Sequence, residues 1–221
     1  MKVIPREVGR RVNTNSRALR DFRENLNRFT PYQERVLFGT LLGDACLLPN
    51  GWETNWRLQI GHGERQKAYL WWKYKVFENW VFSKPKFQAK TSSWRFRTIS
   101  HPELTRWHKV FYRRGRKILP KDLGIFLRHP IVLAVWFMDD GGKLKGQNGK
   151  DHGLLLNVQR LSLKQVKVVQ KIFRESLGLD STHQWNNSGY RLYFGKASKE
   201  KFNNIVRKFV HPSLRYKLLT P

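Results

Sequence analysis

The stretch LFGTLLGDA at residues 37–45 and the stretch LAVWFMDDG at residues 133–141 decide the fold of this chain. Each is apolar on nearly every face of a helix and then ends at an aspartate. A helix that is apolar all round belongs in a protein interior. Small residues such as Gly39, Gly43 and Ala134 would let two such helices approach closely. The pattern therefore predicts two buried helices packed flank to flank.

The surrounding sequence predicts the same order of elements twice. Thr30-Pro31-Tyr32-Gln33 combines an N-cap, a proline at the first helical position and a capping-box glutamine, and His129-Pro130 opens the second helix. Asn50-Gly51 and Asn148-Gly149 follow the two helices, and Asn-Gly is a strong hairpin-turn signal. Alternating strands and amphipathic helices come next. We predict an α+β protein in which an α-β-β-α-β-β-α unit occurs twice.

Matched spacings support a duplication. From Gln59 to Lys117 is 58 positions, and from Gln159 to Lys217 is also 58. The predicted organisation is a basic N-terminal extension at 1–29, a first half at 30–118, a linker at 119–128 and a second half at 129–221. The extension is interpreted either as a solvated segment or as an arm that contacts phosphates.

The charge balance indicates the class of partner. The chain of 221 residues has 43 Lys plus Arg against 16 Asp plus Glu, a formal net charge of +27. Nucleic acid is the natural partner, because each neutralised phosphate releases condensed counterions. A membrane surface would instead call for one basic amphipathic helix, whereas here the charge is spread along the chain. We expect no membrane partner.

The cysteine content and the lack of long apolar segments indicate where in the cell the protein is expected. Cys46 is the only cysteine, which excludes an intramolecular disulfide and any multi-cysteine zinc site. No run of about 18 apolar residues could span a bilayer, and the basic N-terminus has no apolar stretch behind it. We expect an intracellular protein, in the cytoplasm or nucleoid of a prokaryote or in an organelle.

The two acids at the helix ends predict a metal site. An aspartate at the C-terminal end of a helix meets the negative end of the dipole, at a cost of about 0.3–1 kcal/mol. If the helices pack side by side, Asp44 and Asp140 also repel each other. Bound cations remove both penalties, and hard oxygen ligands suit Mg²⁺, with Mn²⁺ as a substitute. Two carboxylates and a scissile phosphate fit a two-metal hydrolysis of a phosphodiester.

The two nonamers resemble the paired motifs of the LAGLIDADG homing endonuclease family. The eighth position of that motif is the metal-binding acid, which here is Asp44 and Asp140, 96 positions apart. The stretches at 137–143 and 215–218 resemble its single-chain, mitochondrial intron-encoded members, over roughly residues 14–219. The chain departs from the motif at Ala45, where glycine is usual, and this should alter packing more than chemistry.

The resemblance implies two pseudo-twofold-related halves whose antiparallel sheets form a DNA-binding saddle. It implies a monomer that cuts double-stranded DNA across the minor groove and leaves short 3′ overhangs. The family also places a lysine beside each acid, and Lys117 and Lys217 match those positions. Their implied catalytic role is to organise water or to stabilise phosphate charge.

Strand alternation predicts the side chains that face DNA. If Leu58, Ile60 and Phe96 point to the core, their neighbours point to the opposite face. Arg suits guanine and Asn or Gln suits adenine in the major groove, although about half of these residues would touch only phosphate or solvent. In the first half the predicted DNA-binding residues are Arg57, Gln59, Arg95 and Arg97; in the second they are Asn157, Gln159, Arg191 and Tyr193, with Lys143, Lys145 and Asn148 in or near the 143–150 loop.

Two other functions remain open. An RNA maturase that assists splicing of a group I intron would need the basic surface, with intron RNA as its partner, but not paired acids. A non-catalytic DNA-binding regulator on the same fold would have no use for metal carboxylates either. The retained pair Asp44 and Asp140 favours an intron-encoded DNA endonuclease.

Overall fold

The protein is described by a computed structural model that covers residues 17–26, 28–51 and 54–220. Its chain divides into two compact units. The first unit contains the described part of Met1–Glu34 together with Ala45–Tyr112. The second contains Arg35–Asp44 and the described part of Arg113–Pro221. Both nonamers therefore contribute their helical parts to one unit.

The order of elements confirms the predicted layout, because α-β-β-α-β-β-α runs from α2 to α4 and again from α6 to α8. The helices are α1 (Arg17–Glu24), α2 (Pro31–Leu42), α3 (Lys67–Val76), α4 (Pro102–Phe111), α5 (Leu123–Leu127), α6 (Pro130–Asp140), α7 (Leu163–Leu177) and α8 (Lys199–Val206). The strands are β1 (Cys46–Pro49), β2 (Trp56–Gly63), β3 (Lys86–Gln88), β4 (Ser93–Arg97), β5 (Tyr112–Arg113), β6 (Arg116–Lys117), β7 (Gly141–Lys145), β8 (Asp151–Asn157), β9 (Thr182–Trp185) and β10 (Tyr190–Phe194). Short 3₁₀ turns lie at Glu64–Gln66, Glu78–Trp80, Ala89–Thr91 and Pro212–Lys217.

Each unit has one four-stranded antiparallel sheet, and the two sheets have the same topology. The strand order is β1-β2-β4-β3 in the first unit and β7-β8-β10-β9 in the second. On one face of each sheet the alternate residues are buried, including Leu58 and Ile60 on β2 and Leu154 and Leu156 on β8. The helices and these sheets confirm the α+β class.

The start of α2 follows from its sequence. The backbone N–H of Gln33 donates to Thr30 Oγ1 at 3.2 Å, and the backbone N–H of Thr30 donates to Gln33 Oε1 at 3.0 Å. This reciprocal pair is a capping box, as the sequence predicts. It fixes the residue at which α2 begins.

Helix α6 is buried at every residue from Ile131 to Asp139. Its 11 residues are well short of the roughly 20 needed to cross a bilayer. Among the described residues no helix is long and apolar enough to span a membrane. The burial comes instead from close packing against α2 and neighbouring elements of the second unit.

Glycines make the approach of α2 to α6 possible. A Cβ atom on Gly39 would lie 2.7 Å from the Val132 carbonyl oxygen and 2.8 Å from Val135 Cβ. A Cβ atom on Gly43 would lie 2.5 Å from Asp139 Cβ. Side chains at these two positions would force the helices apart. The predicted flank-to-flank packing of the two nonamer helices is therefore observed.

The predicted linker and extension contain structure of their own. Within 119–128, α5 places Phe126 against Phe38 of α2, with ring centroids 3.9 Å apart. Residues 1–16 of the extension, with Arg10 and Arg11, lie outside the described residues, as does Asn27. The part that follows packs within the first unit, where the Phe22 ring lies 5.5 Å from that of Phe82.

Replacing Gly39 with valine is expected to lower the free energy of unfolding by about 3 kcal/mol, because the branched side chain must push α2 away from α6. Gly142→Val is the matched control in the same unit, since a Cβ atom there would meet nothing within 4 Å. Urea unfolding of both variants measures the difference. Equal stability of the Gly39 variant and the wild type would contradict the close packing.

Candidate active site

The ends of α2 and α6 bring three carboxylates into one region of the second unit. Asp44 follows α2 and is exposed, Asp140 is the last residue of α6 and is half-buried, and Asp139 is buried. A carboxylate oxygen of Asp44 lies within 4.8 Å of one of Asp139. The predicted metal-binding acids are thus held at neighbouring helix ends.

Asp139 connects the two helix ends, and the sequence analysis gave it no role. The backbone N–H of Asp44 donates to Asp139 Oδ2 at 3.3 Å. Gly43 occupies the matching position of the first nonamer, where a Cβ atom would collide with the Asp139 side chain. The only sequence signal was this contrast of glycine and aspartate at the seventh position of the two nonamers.

Lys117 and Lys217 take equivalent places at the two helix ends. Lys117 Nζ donates to the carbonyl oxygen of Gly43 at 3.0 Å. Lys217 Nζ, which is buried, donates to the carbonyl oxygens of Met138 at 2.6 Å and Asp139 at 3.4 Å. Carbonyls in the last turn of a helix lack helical partners and carry partial negative charge. Each ammonium group therefore binds the end of the helix that carries one predicted metal-binding acid.

The electrostatics of the site centre on Asp140. Burial, followed by the negative charges of Asp44 and Asp139, raises the pKa of its carboxyl to about 7, although the positive charge of Lys117 opposes the shift. Burial disfavours the charged carboxylate, and two neighbouring carboxylates add repulsion that one lysine offsets only in part. Such a group favours a cation ligand, and its oxygen donors are those that Mg²⁺ and Mn²⁺ prefer. The residues present therefore fit a divalent metal.

In the first unit the predicted DNA-binding residues share one face of the sheet. Gln59 of β2 lies opposite Arg97 of β4, and Gly61 lies opposite Arg95. Arg97 Nε donates to Gln59 Oε1 at 2.6 Å. Burial, followed by the charges of Arg57 and Arg95, lowers the pKa of the Arg97 guanidinium below its usual value. This crowding of like charge favours an anionic partner on that face.

In the second unit the predicted DNA-binding residues Asn157 and Lys143 form hydrogen bonds with other parts of the same unit. Asn157 Nδ2 donates to the carbonyl oxygen of Asp140 at 2.9 Å, so it helps to end α6. Lys143 Nζ binds Asp151 at 3.3 Å and Thr220 Oγ1 at 2.8 Å. Their contacts with DNA remain predictions.

The remaining predicted residues of this unit lie on or near its sheet. Arg191 lies on β10 opposite Asn157, and the Tyr193 hydroxyl donates to the carbonyl oxygen of His152 at 3.1 Å. Lys145, the last residue of β7, is exposed. Asn148 lies in the turn between β7 and β8, where its Oδ1 accepts the backbone N–H of Lys150.

The equal spacing of Gln59 from Lys117 and of Gln159 from Lys217 does not mean that the two glutamines occupy matching strand positions. Gln159 lies in the turn after β8, where its Nε2 donates to Ser188 Oγ at 2.8 Å. The strand register shows the true counterpart. The residues two positions after the acids, Cys46 and Gly142, pair with Gln59 and Leu155 respectively. The equal spacing misled because the extra residues of the second half lie after β8: Lys217 is 62 positions after Leu155, whereas Lys117 is 58 positions after Gln59.

Paired acids at the ends of two packed helices, in a chain that also forms two antiparallel sheets of equal topology, define a two-motif LAGLIDADG protein. The family model described as "LAGLIDADG DNA endonuclease family" matches residues 34–202, and the chain belongs to that family.

Relatives support the assignment. The chain is 27% identical to "Probable intron-encoded endonuclease 1" of Wickerhamomyces canadensis, over 94% of this chain and 93% of that protein. It is 28% identical to "Cytochrome b mRNA maturase bI2" of Debaryomyces hansenii, over 83% of this chain and 72% of that protein. The solved structure of "The homing endonuclease I-WcaI bound to its DNA recognition sequence" superposes with a TM-score of 0.87, over 99% of this chain and 100% of that one. At 24% identity this likeness supports the fold.

Asp140→Asn is expected to stabilise the metal-free protein increasingly from about pH 4 to pH 7, with no further gain above pH 7. The folded pKa of about 7 lies above the ordinary value of 3.8, so the folded wild type holds the proton longer than the unfolded chain. The wild type therefore loses stability as pH rises between these values, by at most about 1.4 kcal/mol per pH unit.

Thermal unfolding in EDTA at several pH values measures this difference. Asp122→Asn is the control for the loss of an exposed carboxylate outside the site, because Asp122 is exposed at the start of α5. An Asp140→Asn effect that does not change between pH 4 and pH 7 would show that burial and like charge do not raise the pKa of Asp140.

Proposed function

We propose that the chain is a site-specific homing endonuclease that hydrolyses both strands of a double-stranded DNA target. The observation that carries the proposal is the joint placement of Asp44, Asp140, Lys117 and Lys217 at the ends of the two nonamer helices. A structural pair of buried helices would not need acids at its negative dipole ends. A phosphodiesterase does need them, to hold cations against the phosphates.

Asp44 and Asp140 would hold Mg²⁺, or Mn²⁺ as a substitute. When bound, such cations lower the pKa of a water ligand and offset charge on the leaving 3′ oxygen. Asp139 fixes the backbone of Asp44 and so orients its carboxylate. Lys117 and Lys217 place two ammonium groups beside the acids, where they would stabilise the phosphate charge that grows in the transition state.

The basic surfaces of both units supply the DNA contacts. Besides the strand faces, Arg113, Arg114 and Arg116 line a cavity of about 720 Å³ next to Lys117. Within the described residues these three arginines have no acidic partner. The turn that presents them has Arg114 at φ 50° and Gly115 at φ 73°. Phosphates that flank the cleavage position would neutralise this cluster.

One observation favours a second function, because a relative over most of the chain is described as an mRNA maturase. Intron RNA would use the same basic surface without needing Asp44 or Asp140. We propose cleavage of DNA as the primary activity and a monomer as the active form, because the second unit holds both acids in one chain. The protein would act in the intracellular compartment that contains its target DNA.

Asp44→Asn and Asp140→Asn are each expected to reduce cleavage by about a thousandfold or more, because each removes a metal-binding carboxylate. Binding of the same duplex should persist, since the phosphate contacts remain. The target is first selected with the wild-type protein and Mg²⁺ from a library of random duplexes. Asp180→Asn, at an exposed surface ion pair with Arg174, is the control and should cleave normally.

Wild-type rates in the double Asp44→Asn, Asp140→Asn variant with Mg²⁺ would contradict the mechanism. A wild-type protein that cuts no duplex in the library, yet accelerates splicing of an intron RNA, would favour the maturase function instead.

A further inference from the structure

Two arginines, one in each sheet, are held by glutamines in the same way. Arg97 of β4 lies opposite Gln59 of β2, and its Nε donates to Gln59 Oε1 at 2.6 Å. Arg191 of β10 lies opposite Gln184 of β9, and its Nε donates to Gln184 Oε1 at 3.1 Å. In both cases a cross-strand amide oxygen accepts the inner N–H of the guanidinium.

These contacts leave a defined set of donors. A guanidinium has five N–H groups in a planar fork, and the glutamine takes only the one on Nε. The two terminal amino groups remain as a pair of parallel donors. Arg97 lies between the buried core residues Phe96 and Thr98 along its strand, and Arg191 precedes buried Leu192, so both project from the face opposite the core.

The choice of glutamine distinguishes these arginines from others in the chain. Arg106 binds Glu103 and Glu34, and Arg174 binds Asp180, so carboxylates compensate their charge. A neutral amide orients the guanidinium without compensating its positive charge. Arg97 and Arg191 therefore keep a full positive charge in a fixed orientation, which is suited to an external acceptor.

The surroundings of Arg97 offer room for such an acceptor. Arg97 and Arg95 line an open groove of about 240 Å³ together with Lys84 and Lys86. A groove with this lining admits the edge of a base while lysines contact the adjacent phosphates.

We propose that Arg97 and Arg191 each recognise a guanine in the major groove of the target, and that Gln59 and Gln184 are positioning residues for them. Guanine presents two acceptors, O6 and N7, whose spacing matches the two terminal amino groups of arginine. Holding the guanidinium before DNA arrives reduces the side-chain entropy lost on binding. The inference rests on the proposed function and assigns two positions of its specificity.

The geometry also separates this role from direct recognition by glutamine. A glutamine that reads adenine uses both its amide oxygen and its amide nitrogen. In Gln59 and Gln184 the oxygen already accepts from an arginine. Each glutamine should therefore affect the same base position as its arginine, and the preferred base should be guanine.

The test is a binding selection in EDTA with the full chain and a library of random DNA duplexes, which yields the base preference at every position. The wild type should prefer guanine at one position in each half-site, with affinity about tenfold or more above that for the other bases. Arg97→Ala and Gln59→Ala should relax the same position, and Arg191→Ala and Gln184→Ala should relax the other. Lys84→Ala is the control and should weaken all sequences alike.

The conservative variants Gln59→Glu and Gln184→Glu separate positioning from folding. Glutamate still accepts the Nε–H, so guanine should remain preferred even though the added charge weakens binding of all sequences. An unchanged preference in the alanine variants would overturn the inference, as would a preferred base other than guanine at these positions. If the wild type enriches no sequence at all, the proposed function fails and the positional assignment falls with it.

Discussion

The close crossing of α2 and α6 is the contact on which the rest of the molecule depends. At Gly39 and Gly43 there is no room for a side chain, because residues of α6 lie directly against the backbone of α2. This approach places the acidic C-terminal ends next to each other, where burial and like charge raise the pKa of Asp140 to about 7. The packing that stabilises the fold thus also brings carboxylates together, and a bound divalent cation would offset their repulsion.

The two helix ends are related but not identical. Both have a lysine on a last-turn carbonyl, Lys117 on the first and Lys217 on the second. Only the second nonamer has an acid at its seventh position, and Asp139 reaches across to the backbone of Asp44. The glycine at the equivalent position of the first nonamer makes room for that acid. Two such side chains could not fit between the helices, so the pair is asymmetric by necessity.

Much of the fold and of the candidate site could be predicted from the sequence, because it depends on local patterns. Apolar helices with capping signals, alternating strands and paired acids are local patterns, and they correctly predicted the α+β class, the repeated layout and the meeting of the nonamers. The role of Asp139 was not predictable, because it depends on which side chain crosses between helices. Gln159 was assigned to the wrong structural position, because equal spacing along the chain does not show where the extra residues of one half lie. The register of the paired strands does show it. The glutamine partners of Arg97 and Arg191 likewise depend on cross-strand register.

The most direct test is an NMR titration of the Asp140 side-chain carboxyl carbon in the metal-free protein, repeated in the Asp44→Asn variant. We expect a pKa of about 7 in the wild type and a lower pKa in the variant, because one neighbouring negative charge is removed. A pKa near the ordinary 3.8 in both proteins would show that the two helix ends do not form one buried site in which the carboxylates repel each other.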